Sequence, residues 1–535
     1  MLTVASPTII DAAQTRLIEA ISAWRRAVGD RAVITDTENY NIDTSSFAGR
    51  IPVALRPVSV GQVQQIVKVA QRYSIPIYPI STGHNWGYGT SVPVRSPCAI
   101  LDLSAMNKIV AFDKELGVVT LEPGVTQGAL SDYLRSRNLP FLVPVTGAGP
   151  SCSIIANALE RGFGVTPITD HFGAVLSMKV VLPDGSIYES YTRAFDAAGV
   201  AQAFKWSTGP YLDGLFSQSN LGIVVDASIA LQRRAERSGA LFFVSDSNQQ
   251  VEKATERIRE LLLGAGHNIG AINVMSRSRV ECMLNGSRKL SRGQTVSMPA
   301  GEWFGFGSIY GSKEHFRATC RLVKRCLRGH MRQIRIYTSD DIRRLRWISI
   351  LAAAIGRPQL IDLVDRLEAA LKIVDGIPST FALPLAYAKS GRAKDKTDLN
   401  PAHDGCGLFW YAPIVPLRRG TVGEFIEFAE RTCRKHGMDS AMTLTTLSPR
   451  CYASTIPLLF DRTDPDAERR ARMCFEELYE EGLELGFVPY RIGAQFMSAL
   501  ARPEVRVGPL VQSIKSALDP TLLLAPGRYS FDELE

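Results

Sequence analysis

The sequence lacks the patterns that define several large classes of protein. No apolar run reaches the roughly 18 residues that a membrane-spanning helix needs, so no membrane partner is expected. The nine cysteines are scattered and include no C-x-x-C pair, which argues against zinc ribbons and thioredoxin-like redox motifs. Odd, dispersed cysteines are typical of a reducing compartment, and the N-terminal residues indicate an amphipathic helix rather than a secretion signal. We therefore expect a cytoplasmic location and predict no metal site.

Motifs for binding nucleic acid are also missing, although the net charge is +8 over 535 residues. Much of the positive charge lies between Arg317 and Arg346, where basic residues alternate with apolar ones as on an amphipathic helix. This pattern is typical of a solvated helix face. The alternative is docking of an acidic partner or an anionic substrate; nucleic acid is not an expected partner.

The composition, with 45% apolar and 21% charged residues, predicts a large globular protein. Up to about residue 230, short β-rich runs alternate with helical patterns, and beyond Arg233 longer helices alternate with strands. That order predicts an α+β region in which helices cover an antiparallel sheet. Strands are predicted over residues 53–55, 77–80, 99–103, 118–121, 178–182, 187–190, 223–231, 241–244, 408–414, 441–446 and 454–460, and helices over residues 60–73, 251–263, 316–326, 422–436 and 466–485.

Three segments rich in glycine and serine adjoin predicted strands or helices. Residues 81–89 (STGHNWGYG) follow a strand, and their glycines permit close backbone approach and inward-pointing N–H groups. This loop matches neither GxGxxG nor GxxxxGK[ST], so it carries no Rossmann or P-loop fingerprint. Residues 144–153 precede a helix from Ile154 with Ser153 as its N-cap, and residues 216–224 enter a strand. Each segment taken alone also fits an ordinary turn.

Together, these segments resemble the flavoprotein family of vanillyl-alcohol oxidase, 4-cresol dehydrogenase and eugenol oxidase. The matching stretches run from about residue 50 to residue 528, in the order IPIYPISTGHNWGYG, LDLSAMNKIV, LEPGVTQGALSDYL, NALERGFGVTPITDHFGAVLSMKVVLPDG, GPYLDGLFSQSNLGIV, LFWYAPI, LFDRTDP, PYRIGAQF and LDPTLLLAPGR. The resemblance implies a two-domain α+β FAD-binding fold of the vanillyl-alcohol oxidase type. Residues 1–232 and 510–535 are expected to form the FAD-binding domain, and residues 233–509 an antiparallel-sheet substrate (cap) domain.

The resemblance also implies one FAD per chain and a set of residues around it. The loop over residues 81–85 is expected to wrap the pyrophosphate, and Arg528 to face the flavin or a phosphate as a fixed cation. The expected cofactor contacts are Ile80, Ser81, Thr82, Gly83, His84, Asn85, Gly149, Ser151, Cys152, Ser153, Asn157, Gly162, Gly164, Asp170, Gly222, Val224 and Arg528.

The family's pocket for an aromatic alcohol uses two tyrosines and an arginine, and the matching residues here are Tyr88, Tyr490 and Arg491. A para-substituted phenol is easier to oxidise once ionised, and two hydroxyls and a guanidinium stabilise a phenolate by charge-assisted hydrogen bonds. Hydride then leaves the benzylic carbon for flavin N5 and a quinone methide forms. Without the resemblance, these residues also fit a packed loop tyrosine and a pair at a strand edge.

The sequence departs from the family pattern at three places. Leu408 stands where the family has a histidine or tyrosine that bonds to the flavin, so that linkage is absent. His84 matches the flavin-linked histidine of berberine-bridge-type and sugar oxidases, which makes a covalent bond at His84 an alternative to simple contact. Residues 144–146 lack the aspartate that vanillyl-alcohol oxidase and eugenol oxidase place near flavin N5. Finally, Pro449-Arg450 is not followed by the family's histidine pair.

Three functional hypotheses follow. The first is an FAD-dependent oxidoreductase that oxidises a para-substituted phenol or aromatic alcohol. The second is an FAD-dependent oxidase or dehydrogenase of another alcohol, a hydroxy acid or a natural-product intermediate, and the third is a non-catalytic protein with a flavin-binding fold. Expected partners are a small-molecule substrate, oxygen or a redox partner as electron acceptor, and a second copy of the chain in a homodimer.

Overall fold

Three β-sheets form the framework of the protein. The structure, a computed structural model, describes residues 7–286, 298–354, 359–390, 398–502 and 504–531. The first sheet contains β1 (Val33–Ile34), β2 (Ala54–Leu55), β3 (Ile77–Ile80) and β4 (Ala99–Asp102); the second contains β5 (Ile109–Asp113), β6 (Val118–Leu121), β7 (Val175–Val181), β8 (Ile187–Glu189) and β9 (Ile223–Ala230); the third contains β10 (Arg237–Ser245), β11 (Ile269–Ser276), β12 (Trp303–Gly311), β13 (Arg332–Tyr337), β14 (Cys406–Tyr411), β15 (Ile414–Pro416), β16 (Thr443–Ser448) and β17 (Cys451–Asp461).

Helices pack against these sheets. Their bounds are α1 (Pro7–Val28), α2 (Val60–Tyr73), α3 (Gln127–Ser136), α4 (Ile154–Leu159), α5 (Val200–Ala203), α6 (Asn248–Ala265), α7 (Arg277–Gly286), α8 (Lys313–Leu327), α9 (Ser339–Ala354), α10 (Gln359–Val374), α11 (Arg419–Lys435), α12 (Pro465–Glu484) and α13 (Val507–Leu518). Of those in the described ranges, no helix has the length and hydropathy to cross a membrane. The nine cysteines are all free thiols.

The first sheet has the order β1-β2-β4-β3, and β2, β4 and β3 run parallel. Helix α2 begins after Ser59, whose side chain accepts a hydrogen bond from the Gln62 N–H, as the sequence predicts. The C-terminal segment returns to this sheet, since the N–H of Ile77 donates to the Leu523 carbonyl at 2.9 Å. Residues near the C-terminus therefore lie beside the end of β3.

The second sheet is antiparallel, with the order β5-β6-β9-β7-β8. Strand β9 lies at its centre and pairs with both β6 and β7. Val181 and Ile223 at one end of this sheet share a hydrophobic core with α1 and α2. The first two sheets therefore contribute side chains to one hydrophobic core.

The third sheet is antiparallel and follows the order β13-β10-β12-β11-β16-β17-β14, with β15 beside β17. Ile272 and Val274 of β11 face a core that also contains buried side chains of α6, α8, α11 and α12. Asn273 and Met275 of the same strand line a cavity instead. Because successive side chains of a strand point to opposite faces, α6, α8, α11 and α12 cover one face of this sheet, whereas the other faces the cavity and is partly packed against α9 and α10.

Two predictions about secondary structure were wrong. The strand expected over residues 408–414 is divided, because Pro413 has no N–H to donate; β14 ends at Tyr411 and β15 begins at Ile414. The basic stretch from Arg317 to Arg346 is not one helix, since α8 ends at Leu327 and β13 and α9 follow. Arg346 at its end is held by Asp365 and Glu368, at 2.5 and 2.6 Å. The division into domains at residue 232 stays a prediction.

Candidate active site

A cavity of about 1510 Å³ lies between the ends of the first two sheets and the face of the third that carries Asn273 and Met275. Ligand pockets usually have a volume of roughly 300–1,000 Å³, so this one has space for a large ligand and a second, smaller one. Its wall includes the loop after β3, helix α4 and strands β11 and β16.

The loop after β3 forms one side of the cavity. Gly83 and Gly87 have φ angles of 69° and 78°, in the left-handed region that favours glycine. A Cβ at Gly87 would lie 2.3 Å from the Trp410 ring, so no larger residue fits there. The main-chain N–H groups of residues 82–85 make no hydrogen bond with any other described residue. Four neighbouring unpaired donors at the edge of a cavity suit a phosphate group.

Helix α4 brings a carboxylate to the cavity. Ser153 caps the helix by accepting from the Ala156 N–H, and it donates to the Pro123 carbonyl at 2.6 Å. The next turn carries Asn157, whose Oδ1 lies 2.6 Å from Nδ1 of His171. Glu160 follows directly after the helix and lines the cavity.

Glu160 is the centre of a buried network of charges. Arg528 contacts its Oε1, Tyr529 donates to its Oε2 at 2.6 Å, and Nε of Arg491 lies 3.4 Å from the same Oε2. Burial by itself would raise the pKa of Glu160, but Arg528 and Arg491 outweigh it and hold the pKa below its ordinary value. The group is therefore an anion at neutral pH, and Arg528 is held on the cavity wall by it and by Tyr78.

The C-terminal segment that carries Arg528 is anchored by Lys515. The ammonium of Lys515 lies 2.6 Å from Asp519 and donates to the carbonyls of Asn220 and Leu524 at 2.7 and 2.9 Å. These contacts fix the turn that follows α13, so the guanidinium of Arg528 is positioned rather than mobile.

Tyr88, Tyr490 and Arg491 meet in the same cavity. Both tyrosines line the cavity wall, and the guanidinium of Arg491 lies 4.2 Å from the centre of the Tyr88 ring. Arg491 also donates to Asn85 of the loop after β3. Burial raises the pKa of Tyr88 to about 12 and the pKa of Tyr490 well above its ordinary value. Both hydroxyls are therefore protonated donors at neutral pH.

His84 is held between Trp86 and Ser151. Its ring stacks on Trp86 with 4.8 Å between centroids, and its Nδ1 lies 3.1 Å from the Ser151 hydroxyl. Burial lowers the pKa of His84 below its ordinary value, so the imidazole is neutral at neutral pH. Leu408 also lines the cavity, and its hydrocarbon side chain offers no atom that bonds to a ligand.

Comparison with known proteins agrees with this geometry. Residues 51–191 match the family model of an FAD binding domain. The chain is 31% identical over 532 residues to the 1'-carboxy-chondrochloren decarboxylase of Chondromyces crocatus, a match that covers 96% of this chain and 97% of that protein. It is 27% identical over 540 residues to the 4-cresol dehydrogenase [hydroxylating] flavoprotein subunit of Pseudomonas putida, covering 96% and 95%. The crystal structure of p-cresol methylhydroxylase with substrate bound has a TM-score of 0.83 and 27% identity, covering 97% and 98%.

The chain belongs to the vanillyl-alcohol oxidase and p-cresol methylhydroxylase family of flavoproteins. It has that family's fold, as the sequence predicts, and it is an FAD-dependent oxidoreductase. The unpaired N–H groups of residues 82–85 and the size of the cavity fit this cofactor. The flavin, when bound, supplies the acceptor for a hydride, which carries two electrons.

Most residues predicted from the sequence line this cavity in the flavoprotein. They are Ile80, Ser81, Thr82, Gly83, His84, Asn85, Tyr88, Cys152, Ser153, Asn157, Gly162, Gly164, Gly222, Val224, Tyr490, Arg491 and Arg528. Three do not: a Cβ on Gly149 would face Leu383, Ser151 supports His84 through a hydrogen bond, and Asp170 accepts from the Gly173 N–H at 2.8 Å within a turn.

Glu160 and Arg279 are among the charged residues of the cavity that were missed. Glu160 lies in the stretch NALERG, which is part of the resemblance to the family. Because Arg161 follows it directly, the sequence does not indicate that the Glu160 carboxylate is buried. Arg279 lies in a segment without a motif, and its side chain reaches the cavity beside Trp410. A charged residue four positions after Met275, on a helix that begins at Arg277, gives no sequence signal of this placement.

Proposed function

We propose that this flavoprotein oxidises a para-substituted phenol or a related aromatic alcohol. The observation that carries the proposal is the meeting of Tyr88, Tyr490 and Arg491 in one cavity, with the guanidinium 4.2 Å from the Tyr88 ring. Two relatives add support, because their names refer to cresol as substrate. In the same proposal, residues 1–232 and 510–535 hold FAD, and residues 233–509 hold the substrate.

The two tyrosines act as a pair of donors toward the phenol oxygen. Because burial keeps both hydroxyls protonated, each has a hydrogen to offer to a phenolate. Arg491 adds a fixed positive charge beside Tyr88, which favours the ionised substrate over the neutral phenol. Glu160 offsets part of that charge and holds the guanidinium in position.

Residues 145–148 stand in the stretch where the resemblance implies an aspartate near flavin N5, and none of these four described residues carries a carboxylate. Val145, Thr146, Gly147 and Ala148 line this part of the wall. Among described residues of the cavity, Glu160 is engaged by Arg528 and Arg491, and the other acidic side chains belong to α10. We therefore propose that water addition is not assisted by a carboxylate in this site.

A second candidate reaction is oxidation of a substrate that carries a carboxyl group. The relative from Chondromyces crocatus is named as a decarboxylase of a carboxylated compound. The specific observation in favour is Arg279, a buried guanidinium in the cavity whose Nε and Nη1 have no hydrogen-bond partner among the described residues.

Bleaching of the flavin without oxygen tests the proposal. The purified yellow protein is mixed anaerobically with 4-ethylphenol, an aliphatic alcohol or a hydroxy acid, and the flavin absorbance is followed. Loss of the flavin band with the phenol alone supports the proposal; loss with a non-phenolic alcohol or acid alone favours the alternative. Tyr88→Phe and Tyr490→Phe should slow bleaching by the phenol, whereas Tyr191→Phe, a control on an exposed side chain, should not.

A further inference from the structure

Arg279 enters the cavity from the first turns of α7. Its guanidinium lies 5.3 Å from the centre of the Trp410 ring, and Trp410 stacks on Tyr88 with 6.5 Å between centroids. Val280 and Met283 of the same helix line the cavity beside it. Arg279 and the tyrosine pair therefore face one space, with Trp410 between them.

The charge of Arg279 is not neutralised by any described residue. Nε and Nη1 are buried and make no hydrogen bond with the described part of the chain. The ionisable groups that face it are the Cys282 thiol and the Tyr88 hydroxyl, both raised in pKa by burial and so neutral at neutral pH. Burial lowers the pKa of Arg279 to about 10, which still leaves it charged at neutral pH.

The other arginines near the tyrosines, unlike Arg279, each have a counter-charge. Arg491 and Arg528 both contact the carboxylate of Glu160. A buried cation without a counter-charge is costly, and it is usually kept only where an anion or another ligand completes the site. Because Arg279 is separated from the loop of residues 82–85 by Trp86 and Trp410, the phosphates of the cofactor are poorly placed to be that anion.

We propose that Arg279 binds a carboxylate on the para side chain of the substrate and so selects carboxylated phenols. This inference rests on the proposed function, since it uses the tyrosine pair for the phenol end of the same molecule. A guanidinium presents a planar fork of N–H donors that matches a carboxylate with two parallel hydrogen bonds. The apolar neighbours of Arg279 strengthen this contact because they exclude water from it.

Binding of phenols that cannot be oxidised tests the inference without relying on activity. The FAD-loaded protein is titrated in a calorimeter with 4-hydroxycinnamate, 4-hydroxycinnamamide and 4-vinylphenol, which have no saturated benzylic carbon. We expect 4-hydroxycinnamate to bind most tightly to the unchanged protein. Arg279→Met should weaken the binding of 4-hydroxycinnamate by roughly 10- to 100-fold, the range for a charge-assisted hydrogen bond. It should change the affinity for each of the other two phenols by less than about threefold. Arg279→Lys should retain part of the preference, because it keeps the charge without the fork.

Arg317→Met is the matched control, because it removes the same charge from an exposed position on α8 and should change no affinity. The melting temperature without added phenol should not fall in Arg279→Met, because an unpaired buried charge is removed. An equal loss for all three phenols, a loss of bound FAD or a lowered melting temperature would overturn the inference. Binding of acetate as tight as that of 4-hydroxycinnamate would overturn it as well. If none of the three phenols binds the unchanged protein, the proposed function itself fails and the inference fails with it.

Discussion

The carboxylate of Glu160 lies 3.4 Å from Nε of Arg491, and both side chains are almost enclosed by protein, at 15% and 13% exposure. The same carboxylate contacts Arg528 near the C-terminus and the hydroxyl of Tyr529. Glu160 therefore joins α4, the proposed phenol site and the C-terminal segment through one buried anion. A change in its charge should affect both stability and the placement of Arg491.

Glu160→Gln should destabilise the protein. The substitution leaves Arg528 and Arg491 buried without their counter-charge, and breaking a buried pair in this way usually costs about 3–5 kcal/mol. We expect the loss to be seen as a fall of several degrees in melting temperature. Glu476→Gln, at an exposed position of α12, should leave the melting temperature unchanged. Equal melting temperatures for the unchanged protein and Glu160→Gln would contradict the proposed role of this network.

The contribution of Glu160 should also depend on pH. The arginines hold its pKa in the folded protein below the ordinary value of about 4.3 that a glutamate has in the unfolded chain. A depressed pKa adds stability above the unfolded value and loses it as the pH falls through the folded value. The difference in melting temperature between the unchanged protein and Glu160→Gln should therefore be constant from pH 7 to 6 and shrink below about pH 4. A difference that grows in acid would have the wrong sign.

Local signals in the sequence were sufficient for helix α2 and for the loop that follows β3. Ser59 and the helical spacing of Val63, Ile66 and Val67 predict both ends of α2, because an N-cap and a buried apolar face act within a few residues. Strand β3 was likewise predicted over residues 77–80. These elements depend on neighbours in the chain, which a single sequence displays.

Long-range packing explains the elements that were not predicted. Strand β12 contains Gly305 and Gly307, which disfavour a strand locally, yet a Cβ on Gly305 would lie 2.1 Å from the Phe243 ring of the neighbouring strand. Helix α9 exposes Trp347 and Leu351, so its apolar residues do not mark a single buried face. Pairing of Glu160 with Arg528 joins residues 368 positions apart, and no local pattern reveals such a contact.

Arg491→Lys should lower the catalytic efficiency of the protein with a phenolic substrate. A lysine keeps the positive charge but lacks the planar guanidinium that reaches Asn85, Glu160 and the space over Tyr88 together. We expect kcat/KM for a para-substituted phenol to fall by roughly 10- to 100-fold, measured by steady-state kinetics. Arg506→Lys, at an exposed position, should match the unchanged protein. An unchanged kcat/KM in Arg491→Lys would remove the basis for placing the phenolate beside it.

His84 is proposed to bond covalently to the flavin. Ser151 engages Nδ1 at 3.1 Å and Trp86 stacks on the ring, which fixes the imidazole and directs Nε2 away from Ser151. The lowered pKa keeps the ring neutral at neutral pH, and a neutral nitrogen is the form that would bond to the 8α carbon of the flavin. The methyl group would lose a proton from one C–H bond, the electron pair would pass into the flavin ring, and the electron acceptor of the enzyme would reoxidise that ring. Because Leu408 removes the attachment point used elsewhere in the family, His84 is the residue to test. Acid precipitation of the purified protein should leave the flavin in the pellet.

Two variants distinguish a covalent bond between His84 and the flavin from a non-covalent contact. His84→Ala should release all flavin into the acid supernatant, because the substitution removes the nucleophilic nitrogen while Leu408 offers none in its place. His403→Ala is the matched control, since His403 is an exposed histidine five positions before Leu408, and it should keep the flavin in the pellet. Flavin in the supernatant from the unchanged protein would show that His84 only contacts the cofactor, and the fixed ring would then serve to orient it. Flavin that stays in the pellet in His84→Ala and is released in His403→Ala would assign the bond to His403 instead.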